Sequence, residues 1–207
     1  MIDLKASELY TSKTKRYALY NIMPIDNIPS VMDKGILCHR ESDKLNHKSI
    51  AMQEVQDRRE GKNVQGGRPL HDYANLYFDP RNPMMYKKKS LASDLCILRI
   101  SLEVLDMRDV VVSDQNAASN YARFYNPLEG ISNLDFRTIL CKDWTSADQV
   151  LEWQQKSKKC AEVLVPKCVP YGLVSGAYVV DERAREKVES AGFDKKIIVC
   201  GELFFRG

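Results

Sequence analysis

The sequence predicts an α+β domain. Short runs of apolar and β-branched residues alternate irregularly with short helical stretches, instead of repeating as the regular strand–helix units of a parallel sheet. The chain has 207 residues, 44% of them hydrophobic and 29% charged, which is typical of a globular protein with its own core. We therefore expect one domain over residues 1–207, in which the polar residues 1–15 are loosely held.

The first half of the chain predicts strands and helices by residue type and by capping signals. Residues 16–22 are rich in β-formers and predict a strand. Asp26 is placed to cap a short helix, and Gly35 is placed to end it. Residues 49–59 predict a second helix, which carries two arginines near its end.

The second half predicts further strands and two capped helices. Asp114 precedes a stretch that predicts a helix as far as Phe124, and Asp181 precedes one that predicts a helix as far as Ala191, where Gly192 ends it. The residues between 125 and 160 are irregular to helical. Apolar runs predict strands at 95–101, 110–112, 162–165, 177–180, 197–200 and 202–205.

The segment HDYANLYFDPRNPMMY, residues 71–86, has an unusual composition for a core strand. Aromatic rings, amide groups and Arg81 lie close together in it, and such groups hold flat, charged ligands by stacking and hydrogen bonding. A tyrosine-rich strand that packs on a sheet and ends at a proline turn is an equally good interpretation.

Glu162 stands out because it begins an otherwise apolar strand, EVLV. An unpaired charge in such a strand is costly, so the carboxylate is expected to face a cleft or a partner. It is either a catalytic group or an edge residue in solvent. Likewise, Arg58 and Arg59 at a helix end commonly face solvent and interact with the helix dipole.

Composition and motifs exclude several classes of protein. The sequence has no P-loop, no glycine-rich dinucleotide loop after a strand and no G-x-S-x-G element, so kinase, Rossmann and hydrolase interpretations lack support. Six cysteines form no C-x-x-C pair and three histidines lie apart, which argues against a zinc site. With no apolar leader and no stretch long enough to cross a bilayer, we expect a cytoplasmic protein with reduced thiols and no membrane association. A net charge of +3 permits a nucleic-acid partner without requiring one.

Several signatures in sequence order resemble the DarT family, which are DNA ADP-ribosyltransferase toxins of bacterial toxin–antitoxin systems. The resemblance covers nearly the whole chain. The signatures are IDNIPSVMDKGIL at 25–37, RREGKNV at 58–64, LHDYANLYFDPRNPMMY at 70–86, SDQNAASNYARF at 113–124 and CAEVLVP at 160–166.

The resemblance implies the ADP-ribosyltransferase fold, a split antiparallel β-sheet with short helices around a central NAD cleft. It implies that Glu162 is the catalytic glutamate and that Arg59, rather than Arg58, is the active-site arginine. It implies NAD⁺ as a substrate and no metal. The residues that it places around NAD⁺ are Tyr20, Asn21, Asn27, Arg59, Tyr73 and Tyr77.

A DNA-binding side is expected next to this cleft. Lysines that precede Glu162 can follow a phosphate backbone, and exposed aromatic rings can stack on single-stranded bases. The short run of lysines at 87–89 is either a solvated turn or a further phosphate contact. The residues that we expect to contact DNA are Arg81, Tyr125, Trp153, Lys156, Lys158 and Lys159.

The chain departs from the family pattern at some positions around the expected pocket. It has Asn21 where histidine or arginine is common, Met23-Pro24 for Thr-His, Ala74-Asn75 for Val-Pro, and Asn82 for serine. Since the glutamate and the arginine remain, catalysis is expected to be retained. The departures favour guanine over thymine as the modified base.

The resemblance also implies partners and alternatives. A toxin of this kind is expected to have a cognate antitoxin, either an ADP-ribosyl-DNA glycohydrolase of the DarG macrodomain type or a NADAR-type protein, and a role in phage defence. Two other functions stay open. The acceptor could be RNA or protein, or the chain could be a nucleic-acid-binding module without catalysis.

Overall fold

The computed structural model describes residues 4–45, 47–50 and 52–205. Ten strands and nine helices are assigned within these residues. The strands are β1 Leu19–Pro24, β2 Ile36–Leu37, β3 Tyr73–Tyr77, β4 Leu95–Ile100, β5 Val111–Ser113, β6 Phe124–Tyr125, β7 Glu162–Pro166, β8 Cys168–Val169, β9 Val174–Val179 and β10 Ile197–Val199. The helices are α1 Ala6–Thr14, α2 Ile28–Lys34, α3 His39–Ser42, α4 Gln53–Glu60, α5 Pro83–Lys87, α6 Pro127–Asn133, α7 Phe136–Ile139, α8 Gln149–Lys159 and α9 Glu182–Ser190.

Eight strands form one large sheet in the order β10-β9-β4-β1-β3-β7-β5-β6. Neighbouring strands are antiparallel except β9 and β10, which run parallel at one edge. The remaining strands, β2 and β8, make a small antiparallel pair. The predicted α+β class is confirmed.

The sheet is split between β1 and β3. On one side β1 pairs with β4 along its whole length, from Leu19 opposite Ile100 to Pro24 opposite Leu95. On the other side, within the described residues, β1 pairs with β3 at one register position, Tyr20 opposite Tyr77. Beyond that position the two strands diverge and leave an opening in the sheet, and we call this line of weak pairing the seam.

The main core lies on one face of β3 and β7, where apolar side chains alternate along both strands. Leu76, Val163 and Val165 are fully buried there. The intervening residues of the same strands point to the other face, since side chains alternate along a strand. That alternation places Tyr77 and Glu162, which are cross-strand partners, together on the opposite face.

The N-terminal residues are better ordered than the sequence predicts. Residues 1–3 lie outside the described range, but residues 6–14 form α1, so the expectation of a loosely held segment is wrong there. Tyr10 is completely buried, with its ring 5.5 Å from the rings of both Phe78 and Phe136. One inserted aromatic side chain therefore fastens the helix to the core.

The predicted helix between Asp114 and Phe124 is also wrong. The Asp114 side chain accepts a hydrogen bond from the backbone N–H of Arg123, at 3.0 Å, and thus closes a loop instead of capping a helix. By contrast, Asp181 caps α9 by accepting from the Ala184 N–H at 2.8 Å, as expected. At the C-terminus, residues 202–205 do not extend the sheet, because Gly201–Leu203 forms a 3₁₀ turn.

Candidate active site

A cavity in the described part of the structure opens at the seam. It has a volume of about 560 Å³, which is within the range of small-molecule and cofactor sites. Asn21 lines it from β1, whereas Tyr73, Asn75 and Tyr77 line it from β3. Glu162 lies at its base, so the split in the sheet creates the cleft and the catalytic candidate faces it.

Glu162 is buried in this cleft, with 2% of its surface exposed. Its carboxylate accepts hydrogen bonds from Arg59 Nη1 at 3.3 Å and 3.1 Å, and from the Ala117 backbone N–H at 3.1 Å. Its own backbone N–H donates to Ser113 Oγ at 3.1 Å. Because a buried carboxylate needs paired charge and donors, these contacts fix an ionised group in one orientation.

Arg59 comes from the last turn of α4, where it is buried and not solvated. The ion pair with Glu162 spans 103 residues of sequence, so it forms only when the fold brings α4 against β7. The neighbouring Arg58 also lines the cleft, but no ion pair to it is found among the described residues. The sequence-based preference for Arg59 over Arg58 matches this geometry.

Two asparagines and a tyrosine, Asn21, Asn75 and Tyr77, supply part of the polar lining of the cleft. Asn21 Nδ2 donates to the Asn75 carbonyl oxygen at 3.0 Å, across the seam. Asn21 Oδ1 is buried without a hydrogen-bond partner among the described residues, and so it is an unsatisfied acceptor beside the cleft. Burial, together with the charge of Glu162, raises the pKa of Tyr77 far above its usual value, so this phenol stays protonated.

Cys160 also lines the cleft, two residues before Glu162. Burial, with a smaller effect of the Glu162 charge, raises the pKa of its thiol to about 12. The thiol is therefore protonated at neutral pH and is not an activated nucleophile. Glu162 and Arg59 form a buried ion pair in the same cleft.

A family model described as "ssDNA thymidine ADP-ribosyltransferase, DarT" matches residues 20–205. The chain belongs to the DarT family.

Curated DarT-family relatives include a DNA ADP-ribosyl transferase–glycohydrolase fusion protein of Thermosipho africanus. It is 33% identical over 196 residues, which are 90% of this chain and 48% of that protein. The chain thus spans about half the length of that relative. A DNA ADP-ribosyl transferase of Thermus sp. is 31% identical over 181 residues, 82% of this chain and 84% of that one.

Two solved DarT structures show the same architecture. Thermus sp. 2.9 DarT in complex with ADP-ribosylated ssDNA matches with a TM-score of 0.81 and 26% identity, covering 92% of this chain and 97% of that one. The same protein in complex with NAD⁺ matches with a TM-score of 0.76 and 25% identity, covering 91% and 98%. The predicted split antiparallel fold is therefore confirmed.

The predicted NAD-contacting residues do not all meet in the DarT-family cleft. Asn21, Arg59, Tyr73 and Tyr77 line it. Tyr20 does not line the cleft. Its phenol is buried outside it, near Tyr178 and Arg99. Asn27 does not line the cleft either, since its side chain donates to the Lys48 carbonyl at 2.8 Å and accepts from the Lys48 N–H at 3.1 Å.

The predicted DNA-contacting lysines point in three directions. Lys156 lines the cleft and is paired with Glu152. Lys158 pairs with Asp135 at 3.3 Å, outside the cleft. Lys159 is buried, and the prediction that it contacts DNA is wrong because its ammonium is enclosed in the core.

Arg81 is also engaged within the protein. Its Nη1 donates to the carbonyl oxygens of Glu202 and Phe204 at 3.0 Å and 2.9 Å, and its guanidinium lies 3.9 Å from the centre of the Phe205 ring. The predicted DNA contact of Arg81 is thus replaced by a role in holding the C-terminal segment. Trp153 is 58% exposed on α8, and Tyr125 is half-buried in β6; neither lines the cleft.

Sequence reasoning missed the loop between β5 and β6 as a wall of the cleft. Asn116, Ser119, Asn120 and Tyr121 line the opening, and Tyr121 is 85% exposed. The signal was present as a run of small and polar residues, which favours turns over a helix. Treating Asp114 as a helix cap concealed it.

No cluster of metal-ligating side chains is found in the part of the chain that the structure describes. Nor does any described helix have the length and apolar character needed to cross a membrane.

Proposed function

We propose that this protein transfers ADP-ribose from NAD⁺ to a base of single-stranded DNA and releases nicotinamide. The observation that carries the proposal is the buried Glu162 carboxylate, which Arg59 fixes at the base of a cleft of cofactor size. Relatives named as DNA ADP-ribosyl transferases, and a solved relative in complex with NAD⁺, support the same chemistry.

The chemistry follows from the position of the carboxylate. The bond between the ribose anomeric carbon and the nicotinamide nitrogen breaks, and its electron pair leaves with nicotinamide. Positive charge then develops on the ribose, as in glycoside cleavage, and a fixed carboxylate stabilises that charge as it appears. A base nitrogen attacks the anomeric carbon and loses its proton, for which Glu162 is a suitable acceptor.

Residues around Glu162 would position the dinucleotide. Asn21 Oδ1 offers a hydrogen-bond acceptor, and the protonated Tyr77 offers a hydroxyl donor and an aromatic ring. Tyr73 adds a second ring from the same strand. Lys156 at the rim would meet a phosphate, and Trp153, one helical turn away on α8, would stack on a base of a single strand.

We propose guanine as the acceptor base, with thymine, which the family description names, as the alternative. Two of the departures from the family pattern, Asn21 and Asn75, line the cleft, and the Asn21 side chain donates a hydrogen bond to the Asn75 backbone carbonyl. Asn82 does not contribute to this argument, because it is buried and caps α5 by accepting from the Met85 N–H. The proposal about the base thus depends on the asparagine pair.

The biological setting is proposed on the same basis. A base modification of this kind would be toxic to the cell that makes the enzyme, so we propose a cytoplasmic toxin with a cognate antitoxin and a role in phage defence. In the Thermosipho africanus relative, a DNA ADP-ribosyl glycohydrolase is fused to the transferase. A glycohydrolase is accordingly the proposed type of antitoxin.

Mass spectrometry of a mixed-sequence oligonucleotide after incubation with NAD⁺ tests the proposal. We expect one ADP-ribose on a guanine, no transfer by Glu162→Gln, and unchanged folding of that variant by circular dichroism. RNA and a protein mixture are incubated in parallel. If ADP-ribose is found only on RNA or only on protein, that polymer is the acceptor and the DNA proposal is wrong. DNA binding without any transfer would favour a binding module without catalysis.

A further inference from the structure

The loop between β5 and β6 contains a buried turn at residues 116–119. The Ser119 N–H donates to the Asn116 carbonyl at 2.8 Å, and the Ala118 N–H donates to Asn116 Oδ1 at 2.9 Å. Ala117 and Ala118 are at most 1% exposed. A buried turn has backbone groups that need partners, so its outward contacts determine where it sits.

Three outward contacts fix the turn. The Asn116 N–H donates to the Ser157 carbonyl of α8 at 2.9 Å. The Ala117 N–H donates to Glu162 Oε1 at 3.1 Å. Lys62 Nζ donates to the Ala118 carbonyl at 2.6 Å.

Lys62 supplies the contact from the side of Arg59. It follows α4 by two residues, and its ammonium reaches across 56 residues of sequence to the turn. Partial burial, with the nearby Arg58, lowers the pKa of Lys62 below its usual value, although a strong hydrogen-bond donor remains. Lys62 does not line the cleft, so any effect that it has on substrate passes through another group.

We propose that Lys62 is a positioning residue for Glu162. Its ammonium holds the Ala118 carbonyl, and the same turn presents the Ala117 N–H to the carboxylate. Arg59 and Lys62 thus act from one segment: Arg59 binds Glu162 directly, and Lys62 fixes the other donor. The inference rests on the proposed function.

A shift of the turn would leave Glu162 held by Arg59 alone and free to rotate about that contact. Catalysis depends on placing a reacting group within a fraction of an ångström, and a misplacement of about 1 Å can cost about 100-fold in rate. Asn116, Ala118 and Ser119 of the turn also line the cleft, but NAD⁺ binding depends on the whole lining and would change less than the rate of transfer. A positioning role therefore lowers kcat and leaves KM for NAD⁺ nearly constant.

The test compares Lys62→Met, Lys62→Arg and a control, Lys142→Met, in which an exposed lysine away from the cleft loses its charge. Transfer of labelled ADP-ribose to single-stranded DNA is measured at varied NAD⁺. We expect Lys62→Met to lower kcat by about 10- to 100-fold with KM for NAD⁺ within about 2-fold. Lys62→Arg, which keeps a cationic donor, restores most of the rate, and the control matches the wild type.

A second measurement does not depend on transfer. Amide hydrogen exchange at Ala117, followed by NMR, is expected to be faster in Lys62→Met than in the wild type and in Lys62→Arg. The inference would be overturned if Lys62→Met left kcat unchanged, if it changed KM for NAD⁺ by the same factor as kcat, or if Lys62→Arg did not restore the rate. If the wild-type protein labels no DNA, the proposed function fails, and the exchange measurement still decides whether Lys62 holds the turn.

Discussion

The lysines of α8 show why residue type alone did not identify the DNA contacts. In sequence Lys156, Lys158 and Lys159 form one basic run, but successive helical residues are rotated by about 100°. The three side chains therefore point to the cleft, to Asp135 and to the core, respectively. The place of Glu162 and Arg59 in the cleft was predictable, because the family signatures contain both residues. The burial of Lys159 was not, because its partner Asp79 lies 80 residues away in the sequence.

Lys159 and Asp79 form a buried ion pair, with Lys159 Nζ 2.6 Å from Asp79 Oδ2 and 3.0 Å from the Ile139 carbonyl. We expect Lys159→Met to lower the free energy of unfolding by about 3–5 kcal/mol, because Asp79 loses its countercharge in the core. Urea unfolding measures this. The double variant Lys159→Met/Asp79→Asn removes both charges and is expected to lose less. A stable single variant with weakened DNA binding would contradict the structural role.

His71 predicts a dependence of stability on pH. Burial lowers its pKa below 6.5, with smaller effects of His39, whose ring lies 4.3 Å away, and of Arg59, while Glu60 opposes them. The unfolded chain therefore binds a proton more readily than the folded one. This contribution to stability is complete above pH 6.5 and is lost as the pH falls below it.

Replacing His71 by glutamine tests this dependence. We expect the wild type to lose stability between pH 7.5 and pH 5.5 in thermal unfolding, and His71→Gln to lose less over the same interval. His47→Gln is the matched control and should follow the wild type. If the stability of His71→Gln and of the wild type fell equally with pH, His71 would not be the origin of the pH dependence.

At the scale of elements, α1 and the β5–β6 loop were predicted least well. α1 has little amphipathic character, so no apolar stripe marks it in the sequence, and its largest apolar contact is the buried ring of Tyr10. Lys13 Nζ adds hydrogen bonds to the carbonyl oxygens of Ile131 and Ser132. The reverse holds for α9, where Asp181 caps a helix with a clear apolar face. Helices were predicted correctly where the capping signal and the apolar periodicity agreed. Where they did not, tertiary contacts determined the local structure.

Tyr10 tests the anchoring of α1. We expect Tyr10→Ala to lower the free energy of unfolding by about 3–5 kcal/mol, since it removes a large aromatic side chain from a closed core. Tyr17→Ala is the control, because Tyr17 is 72% exposed and its loss is expected to cost less than about 0.5 kcal/mol. Equal unfolding midpoints in urea for the two variants would show that α1 is not fastened through Tyr10.

For the whole molecule, a net charge of +3 gives little long-range attraction to DNA, so individual rim charges matter. Sequence patterns were sufficient for the α+β class, and the family resemblance implied the split sheet. Neither gave the pairing register that opens the cleft. That register depends on where β1 leaves β3, which is a property of the assembled sheet.

Lys156 and Lys158 provide a matched pair for the salt dependence of DNA binding. Lys156 lines the cleft, whereas Lys158 is on the same helix outside it. Each phosphate contact contributes about 0.7 to the slope of log K against log salt for a single strand. We expect Lys156→Met to flatten the slope by about that amount and Lys158→Met to leave it unchanged, as measured by fluorescence anisotropy. If Lys158→Met flattened the slope and Lys156→Met did not, DNA would bind on the Lys158 side of α8 and not along the cleft.

The seam also makes the sheet easier to deform in one direction than in others. Shear or widening along this line would sacrifice few backbone hydrogen bonds, while the ladders on either side, β1 with β4 and β3 with β7, would remain whole. The hydrogen bond from the Asn21 side chain to the Asn75 backbone carbonyl also connects the two sides of the seam. The direction in which the sheet separates with the fewest broken backbone hydrogen bonds therefore coincides with the opening of the cleft, so the cleft can widen without disrupting the core.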